Sequence, residues 1–165
     1  MKACGKSTVG QLLAKEMGIE FIELDSEIEK NHWQDKKEQL TFREIFKKHG
    51  SIYFRQLESE VLKKISQEKT NESFILACGG GTPLNENNQK ILKSLGRVIF
   101  LDADKMVLLP RILKHGIPAF FPFPNDPKKS LAVLLEKRRP VYKKIADQII
   151  SFTSETPEEL VEKII

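Results

Sequence analysis

Cysteine is scarce in this chain: Cys4 and Cys78 are the two present, far apart in sequence. That is too few and too widely separated for a disulfide framework or a zinc site, and it suits a reducing compartment. Tryptophan occurs once, at Trp33, and long hydrophobic runs are missing. The longest, such as Phe74 to Cys78 and Val98 to Leu101, are far too short to cross a bilayer, and no signal peptide is expected ahead of them. A cytosolic protein with no membrane partner is therefore expected. Neither sign of charge dominates: the formal net charge is +4, and Lys and Arg interleave with Glu as on a solvated surface. The basic residues form no stripe interleaved with aromatics, so nucleic acid is not an expected partner. What is present, 30% charged and 40% hydrophobic residues over 165 positions, describes one globular domain spanning 1–165.

Helical and strand-like segments alternate along the chain. Val9, Leu12, Leu13 and Met17 fall at helical spacing, and Gly18 can end that helix. Ile19 to Leu24 reads as a strand. Ser26 with Glu29, and Thr41 with Glu44, have capping-box spacing and predict two helix starts, with a polar stretch from Asn31 to Gln39 between them. A further helix is predicted over 51–67, with Phe54, Leu57, Val61 and Ile65 on one face. Phe74 to Cys78 reads as a buried parallel strand ending in three glycines. Helix 86–95, strand 97–101 and helix 104–115 follow. Then GIPAFFPFPNDP, with four prolines and no period, predicts a loop that closes as a lid. Helix 128–146, strand 148–152 and a last helix capped near Thr156 complete the chain. The alternation implies a parallel sheet covered by helices.

Three stretches carry chemistry. Gly5-Lys6-Ser7-Thr8 is the second half of a phosphate-binding loop, and a helix begins right after it. Backbone N–H groups at a helix N-terminus, reinforced by the positive end of the helix dipole, suit an anion. In such a loop Lys6 reaches the β and γ phosphates and the Ser7 hydroxyl ligates Mg²⁺. In FIELDSEIE, strand alternation puts Glu23 and Asp25 on one face at a strand end, where open α/β sheets keep their ligands. Gly79-Gly80-Gly81 follows a buried strand and brings no side chain, so either a tight turn or close backbone approach to a ligand accounts for it. Arg55 and Arg138 read from periodicity alone as surface residues of helices.

Read together and in order, GKSTVGQLLA, FIELDSEIE, IFKKHGSIYFRQLE, ILACGGGTP, VIFLDAD and LLEKRRPVYKKIAD resemble the shikimate kinase family, over nearly the whole chain. The resemblance implies a three-layer α/β P-loop fold, a parallel sheet flanked by helices, and phosphorylation of the 3-hydroxyl of shikimate by MgATP. It further implies that the backbone from Cys4 to Thr8 holds nucleotide, with Lys6 and Ser7 on phosphate and Mg²⁺. Glu23 stands near the metal, where the family usually has aspartate. Asp25 holds the substrate hydroxyls, Arg55 and Arg138 grip the shikimate carboxylate, and Gly79, Gly80 and Gly81 line that pocket. Arg111 matches the arginine that stacks on adenine, and Thr153 to Pro157 the adenine loop. A monomer is expected, with a substrate-binding region at about 26–60 and a lid at about 114–127.

The sequence also departs from the family. The first, central strand and the leading Gly of the phosphate loop are absent, which should leave neighbouring strands with unpaired edges. Ile117 precedes Pro118 where the family's lid carries arginine, leaving Lys114 or His115 as substitutes. Pro110 in LLPRIL is expected to kink or break its helix before Arg111. Two rival readings follow: a related small-molecule kinase acting on an acid such as gluconate, and a non-catalytic or truncated shikimate kinase paralogue.

Overall fold

In a computed structural model, which describes residues 3–114, 116–118 and 120–165, helices and strands alternate much as their spacing demands. The order is α1 (Lys6–Met17), β1 (Glu20–Glu23), α2 (Leu24–Lys36), α3 (Phe42–Glu68), β2 (Phe74–Ala77), α4 (Glu86–Leu95), β3 (Ile99–Ala103), α5 (Lys105–Leu113), α6 (Pro127–Ile145), β4 (Gln148–Phe152) and α7 (Pro157–Ile164). All strand pairing is parallel, β1 with β2 and β3 with β4. Among the described residues the strands thus form two pairs, where one continuous sheet was expected. In a pair, each strand has one side without a ladder. No described helix is long and apolar enough to cross a membrane.

The chain divides into two compact units. In the unit Gly10–Leu95, Glu20 to Glu23 lie in register with Phe74 to Ala77. Its core is built from Leu13, Ile22, Leu24, Ile28, Ile45, Phe54, Leu57, Val61, Leu62 and Ile65. Gly10 lets α1 come close to β1, because a Cβ there would sit 2.7 Å from the Phe21 ring. Thr41 and Glu44 form the capping box that their spacing predicts. Gly50, at φ 84°, breaks α3 into two segments, so the predicted separate start near Ser51 is real.

Two expectations in this unit fail. Ser26 does not open a helix: α2 begins at Leu24, with Glu23 at its N-cap and no side-chain cap bond. Leu24, Ile28 and His32 are all fully buried and recur every four residues, so this inward stripe pulls the helix start back and shortens the predicted strand. The same helix continues through Lys36, across most of the polar stretch from Asn31 to Gln39.

The second unit comprises the residues up to Val9 together with Gly96–Ile165. Ile99 to Ala103 pair with Gln148 to Phe152, two residues later than the predicted strand start at Arg97. Helices α5, α6 and α7 supply Leu108, Ile112, Leu131, Leu134, Leu135, Tyr142, Ile145, Leu160 and Ile164 to its core. Arg139 on α6 donates to Asp102 at 2.7 Å and to the Ala103 carbonyl at 3.1 Å, fixing α6 on β3. Pro110 does not break α5, which runs on through Leu113. Proline deprives the Met106 carbonyl of its donor, but Met106 is exposed, so water can supply one.

Candidate active site

The phosphate-loop residues sit at the start of α1. Gly5, at φ 85°, turns the chain into the helix, and its carbonyl accepts from the Val9 N–H at 2.9 Å. Lys6, Ser7 and Thr8 occupy the first turn, where backbone N–H groups have no intrahelical acceptor. Cys4 is buried, and Lys6 Nζ lies 3.9 Å from its Sγ. Ser7 and Thr8 are exposed.

The glycine run forms a second locus, in the unit Gly10–Leu95, at the C-terminal ends of β1 and β2. Such ends collect ligands in parallel sheets. The turn is closed by Thr82 N–H to the Gly79 carbonyl at 3.2 Å and Leu84 N–H to the Gly81 carbonyl at 3.0 Å. Asn88 braces it from α4, donating to the Thr82 carbonyl at 3.1 Å. A Cβ on Gly79 would contact Asp25 Oδ1 and Glu58 Oε1, both at 3.4 Å. A Cβ on Gly81 would collide with the guanidinium of Arg55. Gly81 has to lack a side chain because the Arg55 guanidinium lies against its backbone.

Asp25, Arg55, Gly79 and Gly81 are therefore brought together. The route differs for Asp25. Glu23 is the last residue of β1, whereas Asp25 lies in the first turn of α2, so the two do not share a strand face. Arg55 is no loose surface residue: its Nη1 donates to Glu58 Oε2 at 2.7 Å, with Arg55 40% and Glu58 1% exposed. Thr82 donates its hydroxyl to the other Glu58 oxygen at 2.7 Å. Glu58 and Thr82 are the residues that sequence reasoning missed. The i,i+3 spacing of Arg55 and Glu58 in YFRQLESE is the signal that could have found the pair.

The remaining predicted residues lie in the other unit. Arg138, on α6, is half-buried, with its guanidinium carbon 5.2 Å from the Phe120 ring centroid, a cation–π contact. Arg111 is exposed in the last turn of α5. Thr153 and Ser154 donate backbone N–H groups to Glu155 at 2.9 and 3.1 Å, and Lys163 pairs with Glu155. These bonds, Lys163 foremost, hold the Glu155 carboxyl down to about 2 and shape the segment predicted to face adenine. In the proline-rich segment, Phe121 is buried while Phe120 and Phe123 stay exposed, and Ser130 bonds Phe123 through both its N–H and carbonyl, each at 2.8 Å. Ile117 is exposed, as is Lys114; His115 lies outside the described residues.

A glycine-lysine-serine helix start that suits polyphosphate, and a guanidinium–carboxylate pocket at parallel strand ends that suits a small acid, are the parts of a small-molecule kinase. The profile of the family described as Shikimate kinase matches residues 2–165, and this chain belongs to that family. It is 37% identical to the shikimate kinase of Alkaliphilus oremlandii over 166 residues, covering 99% of this chain and 92% of that protein. A solved structure of shikimate kinase from Acinetobacter baumannii in complex with shikimate superposes with a TM-score of 0.85 at 30% identity, covering 98% of this chain and 84% of that one. The Aquifex aeolicus shikimate kinase structure gives 0.74 at 34% identity, with 99% and 89% covered.

Proposed function

We propose that this enzyme transfers the γ-phosphoryl group of ATP to the 3-hydroxyl of shikimate, giving shikimate 3-phosphate and ADP. The observation that carries the reading is the Arg55 guanidinium, fixed on one edge by buried Glu58 and laid against Gly81. A fork held in this way presents its remaining N–H groups ready aligned, which suits a planar carboxylate better than a hydroxyl. Arg138 supplies the second cation for that carboxylate. Gly79, Gly80 and Gly81 let the ring approach the backbone.

In the transfer, the substrate oxygen bonds to the γ-phosphorus as the bond to the ADP oxygen breaks, and Asp25 accepts the hydroxyl proton. Lys6 and the N–H groups from Cys4 to Thr8 neutralise the phosphate oxygens, which is most of what phosphoryl transfer requires of a protein. Arg111 and residues 153–157 take the adenine. Residues 114–127 serve as the lid, with Lys114 providing the cation that Ile117 lacks. The Ser7 hydroxyl and the Glu23 carboxylate are hard oxygen donors with no side-chain hydrogen bond among the described residues, and so fit Mg²⁺. Ser7 and Glu23 would hold the ion, which would offset the negative charge of the phosphate groups. The mixed surface charge suits a cytosolic monomer that handles neither nucleic acid nor membrane.

A coupled ADP-release assay across shikimate, gluconate and nucleoside monophosphates tests the assignment. Release should depend on shikimate. Equal turnover with gluconate would overturn it.

A further inference from the structure

The reversal between α2 and α3 holds three side chains for which phosphoryl transfer has no use. His32 is fully buried near the end of α2, Glu38 lies in the turn after it, and His49 closes the first segment of α3. Their ligating atoms all lie within 4.8 Å of one another. Both imidazoles offer the same nitrogen to the same oxygen: His49 Nε2 is 2.9 Å and His32 Nε2 3.3 Å from Glu38 Oε2. Tetrahedral zinc, with bonds of about 2.0–2.2 Å, sets its ligands about 3.3 Å apart. Small movements would bring the three onto one ion.

The surroundings fit the same purpose. His32 Nδ1 lies 2.9 Å from the Tyr53 hydroxyl, the outer partner that fixes the tautomer of a metal-bound histidine. The rings pack together, His32 edge-on to His49 at 5.0 Å and His49 tilted against Tyr53 at 4.9 Å between centroids. Lys48 pairs with Glu38 Oε1 at 2.8 Å and so leaves Oε2 to the histidines. The backbone is bent to produce the cluster. Lys37, at φ 56°, turns the chain out of α2 toward Glu38, and Gly50, at φ 84°, ends the segment carrying His49. With no ion, both imidazole Nε2 atoms face the same carboxylate oxygen, and a single divalent cation could be held by all three atoms.

We propose that His32, Glu38 and His49 bind one divalent transition-metal ion, of which zinc is the representative, cross-linking the end of α2 to the first segment of α3. Two imidazole nitrogens and one carboxylate select zinc over magnesium, which demands oxygen ligands. Water completes the coordination. The site is separate from the residues assigned to phosphoryl transfer, and it gives the polar stretch around Trp33 a purpose.

The test is titration of the chelator-stripped protein with zinc chloride, in the absence of nucleotide and magnesium, by calorimetry and by thermal unfolding. One zinc per chain should bind and raise Tm. Glu38→Gln and His49→Asn, both at partly exposed positions, should each weaken binding at least tenfold. Tyr53→Phe should weaken it about tenfold, as loss of outer partners does. His115→Asn, at the third histidine of the chain, should leave it unchanged. Zinc that fails to bind, or that binds equally well to the Glu38 and His49 variants, would overturn the proposal.

Discussion

Replacing Glu58 with glutamine probes the substrate pocket without emptying it. Glutamine keeps the volume, can accept from Arg55 through its one amide oxygen while its NH2 donates to the Thr82 hydroxyl oxygen, and removes the negative charge. Breaking a fully buried ion pair costs about 3–5 kcal/mol. Here the cation is 40% exposed, so solvent screens much of that term, and retained neutral hydrogen bonds recover part of the rest. A loss of about 1–2 kcal/mol remains, which for a chain of this length lowers Tm by about 2–8 °C. The same charge aligns Arg55, so shikimate affinity should fall as well. Weakened orientation worth about 1.4 kcal/mol raises KM for shikimate about tenfold. The KM for ATP should not follow, because the charge acts on Arg55 and not on the phosphate loop. Initial rates across both substrates, with differential scanning calorimetry, measure all three quantities. A lower Tm with an unchanged shikimate KM would refute the reasoning and reduce Glu58 to a brace of the core.

Lys6→Ala should abolish most turnover while leaving the shikimate KM nearly intact, and a parallel loss of both in steady-state kinetics would contradict the separation of roles. Gly81→Ala places a methyl group where the Arg55 guanidinium lies and displaces it from buried Glu58, so shikimate KM should rise and Tm should fall; an unchanged KM counts against Arg55 as a ligand. Glu155 has a carboxyl held near 2, below its unfolded value of about 4.3. Its contribution to stability is therefore present above the unfolded value and lost as pH falls toward 2. Glu155→Gln should flatten the fall in Tm across that window, and identical acid profiles for variant and parent would show the pairing to be inconsequential.

Much of this arrangement is legible in the sequence where local signals are strong. The Thr41–Glu44 and Thr156–Glu159 boxes form as spaced, and the apolar face from Phe54 to Ile65 is buried as its period requires. The start of α2 was obscured because its inward stripe ends in a histidine, which reads as polar until Tyr53 and Glu38 are seen beside it. The burial of Glu58 is illegible for a similar reason, although its spacing to Arg55 is not. An acid on a polar helix reads as solvated, and its burial depends on Thr82, remote in sequence and brought near by the glycine turn. Pro110 shows a local rule yielding to exposure, since a lost backbone bond matters little where water replaces it. The pairing of the described strands into two ladders rests on contacts that no window of sequence contains.

The most direct test of the central claim is phosphorus NMR of the protein with ATP, magnesium and shikimate. The account predicts a new phosphomonoester resonance growing in step with ADP, absent without shikimate and absent in Lys6→Ala. ATP left intact, or converted only to ADP and inorganic phosphate, would contradict it.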